Sequence, residues 1–326
     1  MSTTSIAKSN LTHGYPLALA SAVFLSTTGI LIRYLTQTYQ LPALVLACLR
    51  DLLVALTLLP VLVVLRPALI RVKREHLRYL MFYGLMQAIF NALWTISVSL
   101  NGAAVGTVLA YCSAGFTALL GWWLLKEDLG WAKVLAVSIS LGGCVLVSGA
   151  LDPAAWLANL LGILTGIFSG LLFAIYTLMG RSAANRGLNP WTTLLYTFGF
   201  AGVYLLVLNL LPGKFLPGMA ARPVDLLWLG KSLTGWGALF LLAAGPTLAG
   251  FGLYNMSLTY LPSSIVNLIA ISEPVFTAVT AYFLLGERLT AVQIAGSFLI
   301  IGAVVFLRIY EGWSARQQPA GAYQGG

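Results

Sequence analysis

Between Tyr79 and Asn101 the chain places Tyr83, Gln87, Asn91, Trp94 and Asn101 at a spacing that gathers them on one helical face. At about 100° per residue that face is about 120° wide. Rings stack and amides exchange hydrogen bonds, so such a face suits a zwitterion with an apolar or aromatic side chain. It equally suits hydrogen bonding to a neighbouring helix with no ligand at all. Tyr111, Tyr176, Tyr254 and Asn267 are further candidates for substrate binding, with Thr28, Thr247 and Phe251 on matching faces. Three charges, Arg50, Asp51 and Glu273, stand inside apolar runs. A charge at mid-bilayer costs about 2.5 to 3.5 kcal/mol on insertion scales, so each is expected to have a role in charge or proton coupling, or in structure. Arg50 is expected to meet a substrate carboxylate or to snorkel to a helix end. Successive side chains diverge by about 100°, so it should not simply neutralise Asp51. Glu273, followed by Pro274, is read as stabilising a kink, with proton carriage as the alternative. It lies about 240° round a helix from Asn267, so the two should not face one narrow cavity.

The same inventory excludes much. There is no HExxH, no pair of mid-span aspartates and no Walker loop, so neither an intramembrane enzyme nor an ATP-driven pump is indicated. Two histidines and three separated cysteines (Cys48, Cys112, Cys144) offer no metal or haem spacing and no disulfide pattern, so no cofactor is expected. A net charge of +9 is compatible with nucleic-acid binding, but the basic residues are scattered apart from Arg66, Arg71, Lys73, Arg74 and Arg78, which read as a topology signal.

What must position these groups is a set of membrane spans. Hydrophobic residues make up 59% of the chain and charged ones 8%, and a span needs about 20 apolar residues to cover roughly 30 Å of hydrocarbon. Ten spans are expected: Pro16 to Thr36, Pro42 to Leu65, Leu77 to Leu100, Ala103 to Leu125, Trp131 to Ala150, Leu157 to Gly180, Pro190 to Leu211, Gly235 to Tyr260, Pro262 to Leu285 and Ala291 to Tyr310. Asn101-Gly102 and Leu261-Pro262 are the turn-prone places that divide two overlong runs, and Gly245-Pro246 should bend the eighth span and free a carbonyl. Pro16, Pro42, Pro190 and Pro262 fall at span starts, where a missing N–H does no harm. Of 18 lysines and arginines, twelve fall inside and five outside when both termini are cytoplasmic, with Arg50 in a span. The segment before Tyr15 shows no small-residue cleavage site, so the first apolar run reads as a retained helix.

A shift of 160 aligns Ala110 to Val147 with Ala270 to Leu307, bringing Phe116-Thr117-Ala118 onto Phe276-Thr277-Ala278 and Glu127 onto Glu287. A shift of 148 aligns Ser21, Arg33 and Pro42 with Ser169, Arg181 and Pro190. The expected organisation is therefore a cytoplasmic amino-terminal segment (1–15), two five-helix repeats (16–150 and 151–313) and a disordered cytoplasmic tail (314–326). Five is odd, so the halves would enter the membrane from opposite sides. That gives an inverted repeat with two nearly equal packings, the geometry of alternating access.

Each repeat closes its fourth helix in LLKEDL (Leu124 to Leu129) or LLGERL (Leu284 to Leu289), and the second adds Glu273-Pro274 where the first has Ser113-Ala114. In these motifs the chain resembles the EamA-type branch of the drug/metabolite transporter superfamily, and within it the YddG-type exporters of aromatic and other amino acids. The resemblance implies an all-α membrane protein of ten helices around a central cavity lined by spans one, three, four, six, eight and nine. It also implies export of amino acids across a bacterial inner membrane, with a small-molecule substrate and lipid as partners, no nucleic acid, and a monomer as the assembly. A channel or facilitator for another small metabolite or drug is the alternative.

Overall fold

The computed structural model describes residues 3–125, 130–147, 153–213, 216–261, 266, 269–270 and 272–317. Among them the regular elements are all helical. We number the α-helices α1 (Thr3–Thr38), α2 (Ala43–Leu65), α3 (Arg74–Asn101), α4 (Ala103–Ala110), α5 (Ser113–Leu125), α6 (Trp131–Val147), α7 (Pro153–Asn185), α8 (Pro190–Leu210), α9 (Leu233–Leu242), α10 (Leu248–Tyr260), α11 (Ser272–Leu285) and α12 (Ala291–Gln317). Six stretches are long and apolar enough to cross a membrane: His13–Thr38, Ala43–Leu65, Arg74–Asn101, Asn159–Asn185, Pro190–Leu210 and Leu233–Tyr260. Ala103–Thr117, Phe276–Leu285 and Ala291–Ala303 are shorter apolar helices. Their outer faces carry large apolar side chains such as Val64, Phe283 and Phe298, as expected of surfaces that meet lipid tails.

The breaks follow local chemistry. Gly102 separates α3 from α4 with φ +91°, a left-handed conformation that costs glycine nothing. Leu261 leaves α10 in an extended conformation, and Pro262 beyond it lies outside the described residues. Pro190 opens α8 behind the cap of Asn189, whose side chain accepts from Trp191 N at 2.9 Å. Pro16 departs from its expected place at a helix start: α1 runs through it from Thr3. The cost of an interior proline is confined to one missing hydrogen bond and one steric contact, and helical residues on both sides carry the segment across.

Two further irregularities fall at mid-span. Between α9 and α10 the chain makes one π-helical turn, Ala243–Thr247, around Pro246. Proline cannot donate to the carbonyl of Leu242, and Thr247 Oγ1 takes that carbonyl instead at 2.7 Å. The irregularity expected at Gly245-Pro246 takes the form of this π-helical turn, and its freed carbonyl is satisfied by the next side chain. The fourth expected span, by contrast, is not continuous: Tyr111 and Cys112 form a turn between α4 and α5. Gly170 of α7 lies against this turn, where a Cβ would stand 2.6 Å from Cys112 Sγ and 2.9 Å from the Ala110 carbonyl. Nothing in the residues 110–113 themselves marks a break; a helix pressed on the backbone by way of a glycine does.

Packing between the two sequence halves is reciprocal. The chief partner of α3 across the halves is α7, and that of α10 is α1; α2 packs on α8, and α6 on α12. Close approach is bought by small residues: a Cβ on Gly84 would lie 2.5 Å from Phe200 Cβ, and one on Gly143 2.8 Å from the Gly296 carbonyl.

Candidate functional site

From Tyr83 to Trp94 the polar face of α3 is buried, with Asn101 partly exposed at its end, and it divides between two surroundings. Tyr83 turns toward α7, where its hydroxyl donates to the Tyr176 carbonyl at 3.0 Å and its ring centroid lies 4.9 Å from that of Tyr176. Tyr176 in turn receives Asn255 Nδ2 at 3.0 Å, and Tyr254 shares a hydrogen bond with Thr177 Oγ1 at 3.0 Å. Above this layer Phe173 stacks on Tyr176 and on Phe90, and Phe90 on Trp94, with centroid separations of 6.3, 5.4 and 6.2 Å. Such offset and edge contacts are the arrangements ring quadrupoles favour.

Asn91 faces the other way. Its Nδ2 donates to Asp51 Oδ1 at 2.6 Å, and the same oxygen stands 3.5 Å from Arg50 Nε. The expectation that Arg50 and Asp51 could not neutralise one another is therefore corrected. The backbone vectors do diverge, but the arginine side chain is long enough to reach back round the helix. Snorkelling is likewise overturned, since Arg50 is 1% exposed. Its guanidinium lies over the Trp94 ring, 5.8 Å from the centroid. Gln87, one turn from Asn91, is fully buried with neither amide atom hydrogen-bonded.

Where the aromatic layer meets α4 and α11 there is a cavity of about 30 Å³. Leu25, Phe90, Trp94, Thr107, Ala110, Tyr111, Phe173, Phe251 and Glu273 surround it, drawn from the first, third, fourth, sixth, eighth and ninth expected spans. Glu273, 6% exposed, receives the Tyr111 hydroxyl on Oε2 at 2.6 Å. The side chain faces the cavity and is held by a residue of the other half. Thr107 Oγ1 and Thr28 Oγ1 are buried without a hydrogen-bond partner. Among the sequence candidates, Trp94, Tyr111, Phe251 and Glu273 meet at this cavity. Tyr83, Tyr176 and Tyr254 form the layer beside it, Asn91, Arg50 and Asp51 form a separate ion-pair cluster, and Asn267 lies outside the described residues. Phe90, Phe173, Thr107 and Leu25 were not singled out from the sequence. Phe90 does fall on the same arc of α3 as Tyr83, and that offset was the available signal; Phe173 and Leu25 read like any lipid-facing residue.

The spans flanking the cavity are tied at both ends. At one, Arg33 donates to the Ser99 carbonyl and Asn159 to Asn101 Oδ1, while Arg33 Nε stands 3.5 Å from Glu287 Oε1. The Glu287 carboxylate accepts from Ala103 N at 2.9 Å and Ala104 N at 3.1 Å. At the other, Arg181 donates to the Leu258 carbonyl at 2.8 Å and Tyr79 to that of Met179 at 2.5 Å. Among the described residues no three His, Cys, Asp or Glu side chains group as metal ligands would.

A chain whose described elements are all helical, with several hydrophobic spans around a buried aromatic and carboxyl cavity, is a multi-pass membrane protein. The profile of the EamA-like transporter family matches it twice, over residues 12–149 and again over 160–309, and the chain belongs to that family. Among its relatives are an uncharacterized transporter of Synechocystis, 28% identical over 70% of this chain and 65% of that protein, and one of Archaeoglobus fulgidus, 27% identical over 67% and 73%. An uncharacterized transporter of Clostridium kluyveri is 22% identical over 90% of this chain and 92% of its own length. A solved crystal structure shares the fold with a TM-score of 0.63 at 15% identity, covering 94% of this chain and 99% of that one. Family and relatives alike indicate a transporter rather than an enzyme.

Proposed function

We propose that this chain is a secondary transporter that exports neutral and aromatic amino acids and related small metabolites across the cytoplasmic membrane by alternating access. The observation that carries the reading is one buried, aromatic-walled cavity to which both halves contribute, Tyr111 from the first and Glu273 from the second being joined by a hydrogen bond. Discontinuous helices and a mid-span site at the junction of two related halves are the features secondary carriers use. The reciprocal packing of α3 with α7 and of α10 with α1 supports an inverted pair of five-helix units.

A binding pocket for a small organic molecule measures roughly 300 to 1,000 Å³, an order of magnitude more than the space around Glu273. Solute can enter only if α3, α7 and α10 part, and with both ends tied this favours a carrier between its two open forms over a continuously open channel. In proteoliposomes, uptake of labelled phenylalanine should be stimulated by unlabelled phenylalanine trapped inside, a counterflow that a channel does not give. Trp94→Ala and Tyr254→Ala should each slow it at least tenfold while the protein still unfolds cooperatively. Wild-type rates in both would remove these rings from the path.

A further inference from the structure

We infer that the cavity recognises its substrate by the ammonium group, with Glu273 as the counter-charge, so that aromatic amines bind here at least as well as the amino acids that carry the same ring. This rests on the transporter reading and narrows it. Glu273 is a carboxyl group, 6% exposed, at the edge of the cavity. One of its oxygens takes the Tyr111 hydroxyl, and no other hydrogen bond to the carboxyl is recorded among the described residues, which leaves acceptor capacity toward the interior. The rest of the wall is largely rings, Phe90, Trp94, Tyr111, Phe173 and Phe251. A carboxylate set among aromatic rings is complementary to a cation: the rings present negative faces and the carboxylate the full charge, in a medium where neither is screened by water. Thr107 Oγ1, buried and without a partner on the same wall, can accept a second N–H.

The surroundings argue equally against a bare anion. No lysine or arginine is among the described residues around the cavity. Arg50 touches Trp94 but stands 3.5 Å from Asp51, which already balances its charge. A carboxylate entering the cavity would meet Glu273 with no cation to offset the repulsion. A protonated amine would replace the Tyr111 hydroxyl, or join it, on an acceptor that is already in place.

The test is thermal unfolding of the full chain in detergent micelles with 2-phenylethylamine, L-phenylalanine or 3-phenylpropanoate, since a ligand that binds only the native state raises the midpoint. The amine should raise it, at concentrations no higher than phenylalanine requires, and the acid should not. Glu273→Gln should weaken the amine at least tenfold. A shift by 3-phenylpropanoate equal to that of the amine, or undiminished amine binding to Glu273→Gln, would overturn the inference. So would a shift by phenylalanine with none by the amine, although the transporter reading would then stand. The comparison of amine with acid is made on the unmodified protein, so it decides the matter even if Glu273→Gln does not fold. Binding of the amine together with absence of counterflow for every amine and amino acid would instead remove the transport reading and leave the ammonium site.

Discussion

Arg50 and Asp51 are adjacent in the chain, fully buried and joined to a third residue, Asn91, from another helix. Removing one member of such a pair strands the other charge in a low-dielectric setting, at a cost of about 3 to 5 kcal/mol, whereas replacing both by apolar groups is often close to neutral. Asp51→Leu is accordingly expected to destabilise by that amount. Arg50→Met combined with Asp51→Leu should recover most of it, as a double-mutant cycle of unfolding in detergent would record. Additive losses would mean that the two charges are stabilised independently. The presence of three charges in spans could be read directly from residue type, and so could the ring and amide face of α3. Which partner each group takes could not. Asn91 and Trp94 are three residues apart on one arc, yet Asn91 bonds to α2 while Trp94 sits between Arg50 of α2 and the cavity, because the face is wide enough to touch two neighbours.

Periodicity and composition make the helices legible, and prolines and glycines make most of their ends so. The turn at Tyr111 and Cys112 escaped because its cause is in α7: the missing Cβ of Gly170 lets that helix reach the backbone of Ala110 and Ser113. Gly170→Ala should cost about 1 to 3 kcal/mol, the range for overfilling a packed site. If unfolding is unchanged, the helices are not held at that distance. The π-turn shows the complementary case, where sequence announces the defect and the structure supplies its remedy. Thr247→Val keeps the shape and removes the hydroxyl on the Leu242 carbonyl. Hydrogen bonds between groups within membranes are worth about 0.6 kcal/mol on average and up to about 1.7, and the loss should fall in that range.

For the whole molecule, charge counting and the odd number of helices per repeat lead to a definite orientation. Arg33, Asn101, Asn159 and Glu287, expected on one side of the membrane, are brought to one end by hydrogen bonds and an ion pair. Arg181, Tyr79 and Arg186, expected on the other, also gather, with the Arg186 guanidinium 4.4 Å from the centroid of the Tyr79 ring. Single cysteines introduced at Thr38 and Gln317 should therefore label from opposite sides with an impermeant reagent, Gln317 from the cytoplasm. Labelling of both from one side would undo the pairing of halves. None of the cross-half bonds was legible in the sequence, since residues 184 positions apart, such as Ala103 and Glu287, carry no local mark of one another.

Glu287 behaves as a hasp. An anion at a helix start is worth up to about 2 kcal/mol in a partly buried setting, and here it comes from the far half of the chain. Under the proposed alternating access, unfastening the outward door would release two amide hydrogens and an arginine in one motion, so the carboxylate would set how often that door swings. With Glu287→Ala in a background otherwise free of cysteine, Thr107→Cys below it should react several-fold faster with an impermeant thiol reagent added outside.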